Sequence, residues 1–346
     1  MTRSQESGVG SQKVSVALIA VALFLGLAPT PAGWVERFYS NRFYPLVQSL
    51  FTSISNRIPF ALGDLLALSL VACAGYASFR TRGRPRSLAH LAFGAAALGA
   101  AVYTAFLVVW GLNYRREPLT RKLAFDESRV TAQAAEEMLR RTISALNVES
   151  VSAHSRPLPG DTAVRAGLRS SFDAAAAEAG NAARTVPGVA KRSIIDGYLG
   201  AAGLDGFTNP FGLEIILNSE LLPFERPFVM AHEWGHLAGF ADESEAGFIG
   251  LVTCIRSADP ALRYSGWLAL YELLPRSHRE ALPALAPQVA ADLRAIDARL
   301  RRRYQPALAQ AQERVYDRFL KANRVEEGIA SYGLAVRLVL GTRMIG

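Results

Sequence analysis

The chain has 346 residues, 50% of them hydrophobic and 20% charged, with a mean hydropathy of +0.15. That is too apolar for a disordered chain and apolar enough to call for membrane segments, though not for a fully embedded protein. The net charge of +8 does not mark a nucleic-acid surface: residues 1–112 hold 9 Lys and Arg against 3 Asp and Glu, and the remainder 29 against 27, so the excess sits among apolar segments with no basic–aromatic stripe, zinc finger or RNP motif.

Three apolar segments open the chain. Residues 14–28 form a short run, closed by Pro29 and Pro31 and extending toward Trp34. Residues 60–79 are broken only by Asp64, and residues 88–112 carry no acidic residue, Lys or Arg. A span needs about 20 apolar residues. We therefore read 1–112 as a membrane region with about three transmembrane helices, approximately 14–34, 60–79 and 88–112. The first is expected to be an uncleaved helix, although Lys13 and the weak cleavage-like stretch 27–32 are laid out like a signal peptide. Four arginines within 80–86 favour a cytoplasmic loop. The N-terminus is then inside and everything after the third helix outside. Asp64 is expected near an interface. Cys73 and Cys254 are too few for a disulfide scaffold and are expected to be small buried hydrophobes.

Residues 113–346 read as a mainly helical domain with a small β element. A helix is expected over 131–146, with Asp126-Glu127-Ser128 as its start. Residues 151–160 read as a Pro/Ser-rich loop, and 161–183 as an alanine-rich helix. Residues 197–212 are turn-rich, and 213–218 read as a short strand. A helix begins near Phe228. A long amphipathic segment over 286–323 is interrupted at Pro306, and 328–345 read as a packed helix. His154 and His278 lie in polar stretches and are expected at the surface.

The chemistry is concentrated in Ala231-His232-Glu233-Trp234-Gly235-His236-Leu237-Ala238-Gly239-Phe240, which contains HExxH. On a helix, His232 and His236 are one turn apart and leave the same face. Two neutral imidazoles at that spacing suit one Zn²⁺ per chain. Glu233, beside the first of them, is placed to act as general base toward a water that zinc acidifies. A catalytic zinc wants a third protein ligand. Gly239 lets the chain turn back, and three carboxylates follow. Glu243 begins an ExxA pattern, as in gluzincin-like sites; Glu245 comes next; Asp242 completes HExxHxxGxxD, the metzincin spacing. We favour them in that order. The strand 213–218, lying before the motif, is either a core strand or a strand that pairs with an extended substrate.

The chain resembles the bacterial membrane-protein family catalogued as domain-of-unknown-function family 3810. The resemblance rests on Pro59-Phe60 with Gly63-Asp64, on Trp110-Gly111-Leu112-Asn113-Tyr114-Arg115, and on the HExxH stretch with Glu243-Ser244-Glu245-Ala246. It extends to Tyr316-Asp317, Leu320-Lys321-Ala322-Asn323, and Gly328 with Ser331-Tyr332. It covers nearly the whole chain and implies transmembrane helices followed by a mostly helical, zincin-like metallopeptidase domain. One departure is Gly247, where Asn or Asp is expected. Among the matched tyrosines, Tyr332 or Tyr316 is either a core residue or a donor to the oxyanion of hydrolysis.

These features lead to the expectation of a membrane-anchored zinc metallopeptidase acting on a peptide or protein substrate. Its localisation would be the bacterial inner membrane, with the catalytic domain outside the cytoplasm. The alternative is a catalytically inactive zinc-fold scaffold, against which an intact Glu233 argues. Intramembrane proteolysis is disfavoured, because Glu214, Glu220, Glu225 and Arg226 precede the motif and acidic residues follow it.

Overall fold

Two prolines set the first turn of the chain. In the computed structural model, which describes residues 3–81, 87–275, 282–325 and 334–345, α1 (Arg3–Leu27) stops just before Pro29 and Pro31. Neither proline can donate a backbone hydrogen bond. The chain restarts as α2 (Ala32–Trp34), passes through a π-helical stretch (Val35–Phe43) and continues as α3 (Tyr44–Ser55). It is bent by 109° from the end of α1. The apolar run therefore does not continue to Trp34 as one straight span. In α3 the usual pattern is inverted: Tyr44, Gln48, Thr52 and Ser55 are buried, and Leu46, Leu50 and Ile54 are exposed. The buried polar groups bind the following domain. Gln48 exchanges hydrogen bonds with the Val186 backbone, and Thr52 donates to the Leu213 carbonyl at 2.6 Å.

Helices α4 (Leu62–Thr81) and α5 (Ser87–Val109) follow; the arginine-rich residues 82–86 between them lie outside the described residues. Among the described residues, one helix is long and apolar enough to cross a membrane, over Ala92–Val109, or two if the bent pair at α1 counts as one. Leu62–Tyr76 is a shorter apolar stretch. Gly26 of α1 lies against Tyr103 of α5, so these helices end on the same side. The start of α4 is tied to the domain on that side too, since Asp64 accepts from Ser193 Oγ at 2.5 Å and from Ile194 N at 2.9 Å. Cys73 corrects our expectation: it is exposed on α4, whereas Cys254 is buried.

A 3₁₀ turn (Gly111–Arg115) and α6 (Leu119–Lys122) lead into α7 (Ala132–His154). Thr131 caps α7 by accepting from Ala134 N. Asp126 instead caps a separate 3₁₀ turn, Glu127–Arg129. The helix outruns its expected end, so His154 is no loop residue. It sits in the last turn, 3.0 Å from the Asp292 carboxylate and edge-on to Tyr264. His278 lies outside the described residues. α8 (Asp161–Glu178) comes next.

The region read as turns in fact holds α9 (Asp196–Ala202) and a strand. The sheet has three strands in the order β1-β3-β2: β1 (Ala190–Lys191) pairs parallel with β3 (Glu214–Leu217), and β2 (Gly206–Asn209) pairs antiparallel with it, Thr208 opposite Ile215. Alternation along β3 puts Ile215 and Leu217 on the main core and Ile216 on a smaller cluster with Ala61 and Leu199. The helical layer is α10 (Arg226–Leu237), α11 (Glu243–Ile255), α12 (Pro260–Leu273), α13 (Pro287–Arg303), α14 (Pro306–Ala322) and α15 (Ala335–Gly341). α11 is buried from Glu243 to Cys254, with α8, α10, α12 and α15 packed round it. A helix so enclosed must be apolar or small on every side; its acidic residues Glu243 and Glu245 are exceptions, Glu243 facing the histidines of α10 and Glu245 accepting from the Leu119 N–H.

Candidate metal centre

His232, Glu233 and His236 lie on α10, and the two imidazoles leave one face with their rings edge to face at 4.8 Å. Gly239, at φ +84°, ends the helix in the left-handed region that glycine enters without strain. The Asp242 carboxylate then caps α11, accepting from Ser244 N at 2.9 Å and Glu245 N at 3.3 Å, with the Ser244 hydroxyl also bound to it. α11 turns back along α10 at very short range: a Cβ on Gly235 would stand 3.0 Å from Ala246 Cα. Any larger side chain there would push the two backbones apart.

The approach brings Glu243 Oε2 to 3.2 Å from His232 Nε2 and 3.3 Å from His236 Nε2. The three ligand atoms lie within 4.8 Å of one another. The other two candidate carboxylates are directed elsewhere: Asp242 to the α11 N-terminus, and Glu245 to the Leu119 N–H at 2.6 Å. Tyr316 donates to the other oxygen of Glu243 and is itself bonded to Tyr114. Its hydroxyl thus orients Glu243 rather than pointing freely into the cleft. Tyr332 lies outside the described residues.

Each histidine nitrogen has a distinct setting. His236 Nδ1 lies 2.9 Å from the Phe240 carbonyl. A carbonyl only accepts, so Nδ1 carries a hydrogen and Nε2 is the nitrogen left for binding. Burial opposes charge on His236, but the Glu243 carboxylate outweighs it and lifts the imidazole to about 9. Burial pushes Glu243 up as well, yet the two imidazoles prevail and hold it well below the usual carboxylate range. The cluster thus favours a positive charge at its centre. Two imidazole nitrogens and one carboxylate form the donor set of a zinc site with room for further ligands, so the residues fit the ion. A Cβ on Gly247 would come 3.8 Å from His232 Nδ1; an Asn or Asp there would reach that nitrogen, and glycine does not.

Glu233 is 3% exposed, and burial raises its carboxyl above the ordinary range. Thr208 on β2 donates to Glu233 Oε2 at 2.7 Å. No motif singles out Thr208 in the sequence, because its strand lies in a stretch that reads as turns. β3 is the central strand with both edges occupied, so it does not offer the pairing edge allowed for 213–218. Of the two outer strands, β1 and β2, it is β2 that touches Glu233.

The carbonyls at the end of α10 are each bound by a side chain from elsewhere. Trp110 Nε1 donates to His236 O at 3.0 Å, Tyr44 to Leu237 O at 2.8 Å, Asn181 to Ala238 O at 2.9 Å and Arg116 to Gly239 O at 3.0 Å. A helix leaves these groups unpaired. The segment just past α5 therefore braces the histidine helix. A cleft of about 310 Å³ opens on His232, Glu233, His236 and Glu243, with aromatic walls from Phe106, Trp110, Tyr114, Phe207 and Phe319.

No curated protein matches the chain, and no solved structure does. A family match extends over residues 39–340, from the π-helical stretch through α15, and so takes in every residue of the His/Glu cluster. The chain belongs to the family described as Protein of unknown function (DUF3810).

Proposed function

We propose that the chain is a membrane-anchored zinc metallopeptidase. The observation that carries this reading is the convergence of His232, His236 and Glu243 beside a buried Glu233 whose carboxyl is held by Thr208. His232 Nε2, His236 Nε2 and the Glu243 carboxylate would hold the ion. Bound there, zinc supplies Lewis-acid chemistry, acidifying water and drawing charge from a carbonyl oxygen. Glu233 takes one proton from the attacking water as its oxygen bonds to the carbonyl carbon. It returns that proton to the amide nitrogen as the C–N bond breaks. The raised carboxyl of Glu233 suits both roles, because a stronger base also holds the proton for the second step. Tyr316 orients Glu243 through its hydrogen bond, and the aromatic residues wall the cleft.

The apolar helices α1, α4 and α5 would form the anchor, and the four arginines within 80–86 favour a cytoplasmic side for that stretch, which would put the metal centre on the other side. The deciding experiment is Glu233→Gln in the purified full chain. Zinc retained with hydrolysis of a peptide library lost agrees with the reading; zinc retained with full proteolysis contradicts it.

A further inference from the structure

Three ends of apolar helices, those of α1 and α5 and the start of α4, meet the domain on one side. α3 lies between the end of α1 and the start of α4, bent 109° from α1. Its polar residues bind the domain, and its outward row is Leu46 (72% exposed), Leu50 (58%) and Ile54 (48%). Arg42 and Arg57 flank this row and are also exposed. Apolar residues outward and polar residues inward would be unfavourable in water. The same pattern suits a helix lying in the plane of a bilayer, with basic residues at headgroup level.

α14 carries a second, partly exposed apolar row, although its fully buried residues are apolar too, Ala309 and Leu320. Leu308, Ala311, Val315 and Phe319 recur at helical spacing, and with Ile195, the N-cap of α9, and Tyr198 within it they line an apolar groove of about 430 Å³. Both ends of this face are pinned to the apolar helices. Past the end of α14, Arg324 donates to the Ala28 carbonyl just beyond α1 at 3.0 Å. Ile194, just before α9, donates to Asp64 of α4. The groove shares Leu204, Phe207, Gln312, Tyr316 and Phe319 with the cleft of the His/Glu cluster. Phe106, another cleft wall, belongs to the apolar window Ala92–Val109 and packs edge-on against Phe319 at 5.8 Å.

We infer that α3 and the α9–α14 face rest on the bilayer, so that the cleft opens at the membrane surface and takes polypeptide segments held there. The substrate class is a membrane-tethered protein cut within a few residues of the lipid. Resting on the metallopeptidase reading for its chemistry, this inference takes its geometry from the apolar faces alone.

The test uses the full chain with Cys73→Ser, reconstituted in phosphatidylcholine–phosphatidylglycerol vesicles. A nitroxide is placed at Leu50→Cys, at Val315→Cys, or at Val151→Cys on α7, which packs on α12, α13 and α15 and serves as the aqueous reference. Collision with oxygen should exceed collision with a water-soluble nickel chelate at Leu50 and Val315, with the reverse at Val151. An aqueous signal at Val315 overturns the inference, as does spin–spin broadening that shows a second copy covering either face. The depth readout needs neither metal nor activity, so it fails separately from the peptidase reading. In the activity arm, the zinc-loaded protein receives a degenerate peptide library with or without a dialkyl lipid tail. Cleavage of the tailed library at least tenfold faster, close to the anchor and lost in Glu233→Gln, is the expected result. Equal cleavage of both overturns the substrate class. Cleavage of neither by zinc-loaded protein overturns the peptidase reading and its substrate together, and leaves the orientation to the labels.

Discussion

Among the buried charge clusters of the described residues, the one around β3 and the one on α10 are opposites. Around β3, the Glu214 carboxylate is met by Lys191 Nζ at 2.8 Å, Asn209 Nδ2 at 2.8 Å, the Gly63 N–H at 2.8 Å and Ser55 Oγ at 3.1 Å. Charge is matched and the lone pairs have donors, as a buried ion pair requires. Around α10, two imidazole nitrogens and a carboxylate face one another, three potential metal-binding atoms within 4.8 Å of one another. Burial alone does not distinguish a site from a structural brace. The difference is whether the chain completes its own electrostatics.

The sharpest way to break this comparison is to uncouple the complete cluster. Lys191→Met strands Glu214 and should cost roughly 3–5 kcal/mol, whereas Lys191→Met with Glu214→Leu should recover most of it; denaturant unfolding of the solubilised chain measures both. Next comes the incomplete cluster, which an ion should complete. Zinc at a hundredfold above its Kd should stabilise the wild type by about 2.7 kcal/mol, and His236→Ala should abolish the shift in a thermal melt. Tyr316→Phe removes the donor to Glu243 and should weaken zinc roughly 10–100-fold by competitive chelator titration, with the fold intact. Thr208→Val leaves a buried Glu233 short of one donor, a change of about 1 kcal/mol; hydrolysis should fall several-fold at unchanged zinc content.

The smallest effect is one of pH. Burial pushes Glu214 up, but Lys191, Asn209 and the backbone donors outweigh it and hold its carboxyl below 4.5. A group depressed in the folded state contributes stability that is full above its unfolded value and is lost as pH falls through the folded one. The wild type should therefore lose stability on acidification below about pH 4.5, and Glu214→Gln should lose less over the same window.

The histidine pair was legible because its information is local: a one-turn spacing puts both rings on one face whatever surrounds the helix. Glu243 was among the candidates, yet the choice among Glu243, Glu245 and Asp242 depended on Gly235 allowing α11 to pack within backbone contact of α10. Thr208 was invisible, since β2 exists only through its ladder with β3. α3 was missed for a different reason: its apolar and polar faces are exchanged, so periodicity that shows an amphipathic helix does not tell which face is buried. His154 reads as a loop residue in the sequence because the helix beneath it runs on through Val148 and Val151, whose exposed side chains give no buried-face signal.

The most direct test of the account is metal analysis of the purified full chain, prepared without chelators, beside His232→Ala and Glu243→Ala. The account predicts about one zinc per wild-type chain and its loss from both variants. A wild type without zinc, or a Glu243→Ala protein that keeps it, would contradict the claim that His232, His236 and Glu243 form a metal centre.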